Sequence, residues 1–98
     1  MTRRFRLSPE AALDIRGIWE YIAADSSRAA RRVRLDLFDA CQLIAANPHI
    51  GHTRQDLTPK QVLFWPVGSY LVIYNPRSKP VEIVRVLHAS RDITRLVP

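Results

Sequence analysis

Residues 83–93, IVRVLHASRDI, include side chains that could carry out acid–base chemistry on RNA. Such cleavage needs a base near the 2′-hydroxyl, an acid at the leaving oxygen, and cations that stabilise the phosphate. His88 is the candidate base, and Arg85 and Arg91 are the candidate cations. In the structural alternative, His88 hydrogen-bonds to the backbone where a strand ends, while Arg91 pairs with Asp92 on the surface. The residues alone favour this second interpretation.

Other reaction chemistry has weaker support. The sequence contains no glycine-rich phosphate loop, no CxxC and no HExxH motif. His49, His52 and Asp56 resemble a metal-binding spacing, but a fourth ligand is lacking and the segment is a proline-bounded loop, so we predict no metal site and no cofactor. Cys41, the single cysteine, falls on the apolar face of a predicted helix. We therefore expect it in the core and not as a nucleophile.

The length and composition predict one domain over residues 1–98. Hydrophobic residues make up 47% of the 98 residues, which is enough for one modest core. The chain has no apolar run that could span a bilayer, and its start, MTRRFRLSPE, lacks the apolar region of a signal peptide. One cysteine excludes an internal disulfide framework and fits a reducing compartment. We expect a cytoplasmic protein.

The charge of the chain is strongly basic. The formal net charge is +6, and arginine is far more frequent than lysine among the 15 basic residues. The planar guanidinium of arginine binds carboxylate or phosphate through two hydrogen bonds at once. The composition therefore favours an anionic partner, either a nucleic acid or an acidic protein segment.

The first half of the chain predicts a short strand followed by a helical hairpin. In residues 3–7, Arg3, Phe5 and Leu7 alternate with Arg4 and Arg6, which predicts a short strand. Ser8 and Pro9 form a helix start, with a capping hydroxyl and a proline where no backbone donor is needed, which predicts a helix over residues 9–24. Glu10 and Asp14 sit early in this helix, where its dipole favours them. A second amphipathic helix is predicted over residues 27–46, ending at Asn47-Pro48.

The second half predicts a three-stranded antiparallel meander. Residues 49–60 have loop composition, and residues 61–67, 69–75 and 81–88 have strand composition, joined by short turns. The result is an α+β fold of order β-α-α-β-β-β, with the helical hairpin packed on one face of a small antiparallel sheet. Because the strands are apolar on both faces, we expect the second face to form an open groove with aromatic side chains. In the alternative, loop 49–60 folds over that face.

The order of elements, together with SPEA, NPHIGHTRQDL, VGSYLVIYNP and VEIVRVLHASRDI, resembles the ParE-like branch of the ParE/RelE toxin superfamily. The similarity extends over residues 6–96 and implies the toxin fold described above. RelE-like members are ribosome-dependent mRNA endonucleases, whereas ParE-like members poison DNA gyrase. The arginine and tyrosine positions of the nucleases fall here on Leu71, Ala89 and Arg95, so the ParE-like branch is favoured and enzymatic activity is not expected. A ribonuclease with His88 as general base, assisted by Arg85 and Arg91, is the alternative.

The resemblance also implies partners. Toxins of this type are neutralised by ParD-like antitoxins, whose extended acidic and apolar segment wraps the toxin. The residues expected to contact the antitoxin are Arg16, Trp19, Arg31, Trp65, Tyr70 and Tyr74. The residues expected to contact the target, DNA gyrase, are Arg85, His88, Arg91 and Asp92. Inhibition of gyrase would block replication and growth, and direct nucleic-acid binding is compatible with this interpretation but not required by it.

Overall fold

The computed structural model describes residues 4–91 and 93–97, and within them the predicted order of elements is confirmed. The elements are β1 (Phe5–Leu7), α1 (Pro9–Ala23), α2 (Ser27–Ala46), β2 (Leu63–Val67), β3 (Tyr70–Asn75), β4 (Val81–His88) and α3 (Ile93–Leu96). The short helix α3 was not predicted, because four residues are too few to show a helical period.

Both long helices begin where their capping residues predict. The Ser8 hydroxyl accepts a hydrogen bond from the Ala11 N–H at 3.0 Å and donates one to the Val84 carbonyl at 2.7 Å. One side chain thus caps α1 and fixes it to β4. Ser26 accepts from the Ala29 N–H at 3.1 Å and caps α2 in the same way.

The sheet has the strand order β1-β4-β3-β2. The meander formed by β2, β3 and β4 is antiparallel, as predicted. Strand β1 pairs in parallel with β4, so that Phe5 lies opposite Val81 and Leu7 opposite Ile83. The sheet is therefore mixed, and the prediction of a wholly antiparallel sheet was wrong for this one pair. The chain direction of β1 could not be inferred from local turns because the whole helical hairpin separates it from its partner.

The main core lies between the helices and the inner face of the sheet. Its buried members are Ala11, Leu37, Cys41, Ile44, Val72, Tyr74, Val81, Ile83 and Val86. Cys41 is 2% exposed, which confirms the prediction that it is a core residue. Burial raises the pKa of its thiol to about 12, because a thiolate would lose its hydration in this environment.

The outer face of the sheet is covered, and the prediction of an open aromatic groove there was wrong. Phe64, Ile73 and Leu87 on that face are buried together with Ile93 and Val97 of the C-terminal segment. Leu57 and Val62, in and just after loop 49–60, pack against the same cluster. The alternative, that the loop folds over this face, is confirmed, and α3 completes the cover. A second apolar face was thus a sign of a second core cluster and not of a binding groove.

Candidate functional site

An apolar groove lies between the two long helices and strand β1. It has a volume of about 700 Å³ and is lined by Phe5, Leu7, Ile15, Arg31, Arg34, Leu35, Leu37, Phe38 and Cys41. Leu35 and Phe38 are 52% and 51% exposed, although both are large apolar side chains. Exposed apolar surface of this extent, bordered by cations, is typical of a protein-binding site.

The groove continues along α1 toward Trp19. A neighbouring pocket of about 270 Å³ shares Ile15 and Arg34 with it and is also lined by Ala12, Arg16 and Trp19. Arg16 is exposed and pairs with Glu20 at 3.0 Å, one helical turn away. Of the residues predicted to contact an antitoxin, the structure therefore brings Arg16, Trp19 and Arg31 to one continuous surface.

The outer edge of β1 lies beside this groove. The Ser8 N–H donates to the Ile83 carbonyl at 2.9 Å, so the N–H of this residue faces β4. Because the N–H and C=O of one residue share a side and successive residues alternate, those of Phe5 and Leu7 face away from the sheet. The edge at the other end of the sheet is partly occupied, since His52 and Phe64 exchange two backbone hydrogen bonds of 2.9 and 2.8 Å. Among the residues that the structure describes, nothing pairs with these outward groups of β1, which lie next to the apolar groove.

The other predicted antitoxin contacts lie elsewhere. Tyr74 is fully buried. Its hydroxyl donates to the Pro48 carbonyl at 2.7 Å and accepts from the Gly51 N–H at 2.9 Å, so this residue anchors a loop and its placement on a binding surface was wrong. Trp65 lies on β2, at the opposite end of the sheet from β1, and stacks on His52 with ring centroids 6.3 Å apart. Tyr70 lies beside His88 and is described with it below.

Arg85 was predicted as a target contact or a cation for phosphate, but it is engaged inside the fold. Its Nε and Nη2 donate to the Asp14 carboxylate at 2.7 and 2.9 Å, and its Nη1 donates to the Leu96 carbonyl at 3.0 Å. The same carboxylate accepts from the Val86 N–H at 3.0 Å. Hydrogen bonding to Asp14 raises the pKa of Arg85 further. With three of its five N–H donors committed in this way, Arg85 has a structural role, and its contact with a target stays a prediction.

The position of Asp14 explains why this pair exists. Strand β1 ends at Leu7, so β4 has no neighbouring strand beyond Ile83 on that side. The Asp14 carboxylate takes the place of the missing strand at the Val86 N–H, and Arg85 neutralises the charge that this places near the core. Sequence reasoning assigned Asp14 only to the helix dipole, because no local pattern links it to a residue 71 positions away.

His88 lies in a cleft between α1 and the end of β4. The cleft has a volume of about 590 Å³ and is lined by Asp14, Gly17, Ile18, Tyr21, Tyr70, Val86, Leu87, His88, Ser90 and Arg91. The His88 Nδ1 accepts from the Ser90 N–H at 3.1 Å and lies 2.6 Å from the Ser90 hydroxyl oxygen. In the neutral ring the proton is therefore on Nε2. The ring meets Tyr70 edge to face at 5.3 Å.

The contact with Ser90 confirms the structural alternative for His88, in which the ring bonds to the backbone at the strand's end. Arg91 is exposed at the rim of the cleft, where it was predicted to face a target. Asp92 lies outside the described residues, and so does its predicted pair with Arg91.

Two of the three residues whose spacing resembles a metal site, His52 and Asp56, contact other side chains of the chain. Asp56 accepts from the Nε and Nη2 of Arg54 at 3.0 and 2.9 Å, which lowers the pKa of its carboxyl group. His52 stacks on Trp65. In residues 4–91 and 93–97, no group of three or more histidine, cysteine or acidic side chains could hold a metal ion. Over the same residues, no helix is long and apolar enough to cross a membrane.

Comparison with known proteins agrees with this architecture. The family model described as "ParE toxin of type II toxin-antitoxin system, parDE" matches residues 5–93. The protein Toxin ParE1 of Mycobacterium tuberculosis, in each of two strains, is 31% identical over 98 residues, covering 97% of this chain and 98% of that toxin. A solved structure described as a chromosomal ParDE TA system from P. aeruginosa superposes with a TM-score of 0.72 at 16% identity, covering 89% of this chain and 96% of the other.

The α+β fold, with a helical hairpin on a four-stranded sheet, is the fold of that solved structure. The chain belongs to the ParE toxin family of type II toxin–antitoxin systems. Membership of this toxin family implies an antitoxin partner.

Proposed function

We propose that this toxin inhibits DNA gyrase in the cytoplasm, and so blocks replication and growth, until a ParD-like antitoxin neutralises it. Membership of the ParE family is the observation that carries the proposal. The groove between α1, α2 and β1 supports the antitoxin part of it, because this surface is apolar at its centre and basic at its rim. An acidic and apolar segment of a partner is complementary to both properties.

The outer edge of β1 suggests how such a segment binds. An extended partner chain can hydrogen-bond to the outward peptide groups of Phe5 and Leu7, as in other cases of strand addition. Alternate side chains of the added strand would then enter the groove against Leu35 and Phe38. Carboxylates in the remaining positions would meet Arg31 and Arg34.

A test of this surface compares two leucines of α2 that differ in position. Leu35 lines the groove, whereas Leu43 is similarly exposed, at 41%, and does not line it. We expect Leu35→Glu to weaken the complex with the product of the neighbouring antitoxin reading frame at least tenfold, because it places a carboxylate in an apolar site. Leu43→Glu should leave the affinity unchanged. Equal affinities of the two variants would place the antitoxin on another surface.

The arrangement around His88 supports binding in preference to cleavage. Arg85 is committed to Asp14 and Leu96, and Nδ1 of His88 is committed to Ser90. Of the three residues named for the nuclease alternative, only Arg91 and the Nε2 of His88 therefore remain available, which leaves one cation to stabilise the phosphate.

Purified toxin tests the gyrase proposal directly. We expect it to inhibit supercoiling by DNA gyrase and to trap cleaved DNA. If gyrase is unaffected at micromolar toxin although expression of the toxin stops growth, the target is wrong. Primer extension on translated messages tests the ribonuclease alternative, since codon-phased cuts that disappear in His88→Ala would establish it.

A further inference from the structure

Gly17 lies in the middle of α1, and nothing in the fold explains a glycine there. Interior helical glycine destabilises a helix relative to alanine. Among residues 4–91 and 93–97, a Cβ atom built on Gly17 would have no other atom within 4 Å apart from its immediate surroundings in the helix. Gly17 also has no positive φ, in contrast to Gly68 in the turn between β2 and β3. Neither packing nor backbone conformation within the chain therefore calls for glycine at this position.

Gly17 lies in the wall of the cleft that contains His88. Tyr21, one helical turn further along α1, lines the same cleft and is 82% exposed. Across the cleft lie Tyr70, His88 and Arg91. Because Gly17 has no side chain, a partner that packs on the exposed ring of Tyr21 can approach the backbone of α1 closely. A larger residue at position 17 would obstruct this approach.

We propose that this cleft, bounded by Gly17, Tyr21, Tyr70, His88 and Arg91, is the surface with which the toxin binds its protein target. The inference rests on the proposed function, in which the toxin acts by binding a protein. The segment that fits the cleft carries an apolar side chain next to a carboxylate. The apolar group packs on Tyr21 and against α1 at Gly17, and the carboxylate accepts hydrogen bonds from Arg91 and from the Nε2–H of His88.

The charges around the cleft favour a protein segment over a nucleic acid. The half-buried Ile18 and the rings of Tyr21 and Tyr70 give the cleft an apolar part. Asp14 is neutralised by Arg85, which leaves Arg91 as the one arginine among the lining residues. A nucleic-acid strand presents a phosphate at every nucleotide and is bound by several cations in a row, whereas one carboxylate needs only one.

The cleft and the groove use different faces of α1. Ala12, Ile15, Arg16 and Trp19 line the groove and its extension, whereas Asp14, Gly17, Ile18 and Tyr21 line the cleft. A substitution at Gly17 therefore changes the proposed target surface and leaves the proposed antitoxin surface intact.

The test uses Gly17→Leu, with Ala46→Leu as the control. Ala46 is an exposed position at the end of α2 that lines neither surface, so the control adds an exposed leucine to a helix at a distance. Because leucine is a better helix former, Gly17→Leu should raise the melting temperature, by on the order of 5 °C. We expect the concentration of toxin that half-inhibits purified gyrase holoenzyme to rise at least tenfold, and growth arrest on expression to be relieved. Ala46→Leu should behave like the unchanged protein in both assays.

Each other outcome separates the inference from the function on which it rests. If the unchanged toxin stops growth but does not inhibit gyrase, the gyrase assignment fails, and relief of growth arrest by Gly17→Leu still supports the cleft as the target surface. If Gly17→Leu inhibits gyrase and growth as strongly as the unchanged toxin, the inference is wrong. The inference is also wrong if Gly17→Leu loses activity together with thermal stability. It is wrong, too, if the unchanged toxin forms a dimer that Gly17→Leu disrupts, or if the unchanged toxin cleaves translated messages and Gly17→Leu abolishes that cleavage.

Discussion

The pair between Asp14 and Arg85 provides the strongest test of how this fold is held together. The Asp14 carboxylate accepts three hydrogen bonds, from Arg85 Nε at 2.7 Å, Arg85 Nη2 at 2.9 Å and Val86 N at 3.0 Å. The side chains of Arg85 and Asp14 are only 19% and 13% exposed. Replacing Asp14 by asparagine keeps the size of the side chain and removes its charge, so the Arg85 guanidinium is left without a counter-charge. The amide also has only one oxygen to accept the three hydrogen bonds that the two carboxylate oxygens accept.

The expected cost follows from this geometry. Removing one partner of a buried ion pair costs about 3–5 kcal/mol, and the partial exposure of both groups places the Asp14→Asn effect at about 3 kcal/mol. A domain of this length has a free energy of unfolding of roughly 10 kcal/mol, so the substitution removes about a third of it. The melting temperature should fall by roughly 12–24 °C, because 1 kcal/mol corresponds to about 4–8 °C in a domain of this size.

Asp36→Asn is the matched control for this measurement. The pair between Arg32 and Asp36 is 3.4 Å long, and its side chains are 78% and 46% exposed. Such a pair contributes about 0.5 kcal/mol or less. Urea unfolding followed by tryptophan fluorescence compares the two variants. If they differ by less than about 1 kcal/mol, the Asp14 pair does not fix α1 to β4, and Arg85 returns to the set of residues that a partner could use.

Three further predictions concern the loop, the open edge and the core. Tyr74→Phe should lower the free energy of unfolding by about 1–3 kcal/mol, because the Gly51 N–H and the Pro48 carbonyl lose their shared partner, and Tyr70→Phe is the control for loss of a hydroxyl. Leu7→Pro should weaken antitoxin binding, measured by titration calorimetry, more than Leu7→Ala, because proline removes an outward-facing N–H; equal losses would argue against strand addition. Burial raises the thiol pKa of Cys41 from its ordinary value of 9.0 to about 12. The contribution of the protonated thiol to the free energy of unfolding is therefore complete below pH 9 and is lost as the pH rises through 12. Between these two pKa values the free energy of unfolding falls by about 1.4 kcal/mol per pH unit. Cys41→Ala should flatten this part of the stability profile in urea titrations, and an unchanged slope would show that the thiolate is not the cause.

Local signals in the sequence predicted the elements well. Ser8 and Pro9 at the start of α1, and Asn47 and Pro48 at the end of α2, act within a few residues, so their effect on the helix boundaries does not depend on the rest of the fold. The parallel pairing of β1 and the cover of the outer sheet face depend on contacts between distant segments. Sequence patterns describe which faces are apolar, but not which segment buries them.

The predicted site residues divide in the same way. Arg16, Trp19 and Arg31 lie around one groove because all three project from the helical hairpin, whose geometry follows from its periodicity. Tyr74 and Arg85 have the residue types of binding sites, but each has its polar groups bound to partners 11 to 71 positions away in sequence. A polar side chain on a strand therefore predicts a functional group only when the residues that could satisfy it inside the fold are known.

The arginines show how the net charge of +6 relates to function. Arg85 stabilises the interior, and Arg6, Arg16, Arg32 and Arg54 have acidic neighbours on the surface. Arg31, Arg34 and Arg91 form no ion pair within the described chain, and they lie at the groove and at the cleft. Other exposed arginines also have no ion pair among the described residues, but Arg31, Arg34 and Arg91 combine a free charge with a position at the groove or the cleft, where an external carboxylate could bind. Basic composition alone favoured an anionic partner. The structure adds to this that three of the arginines without an ion pair lie at the two surfaces proposed above for binding.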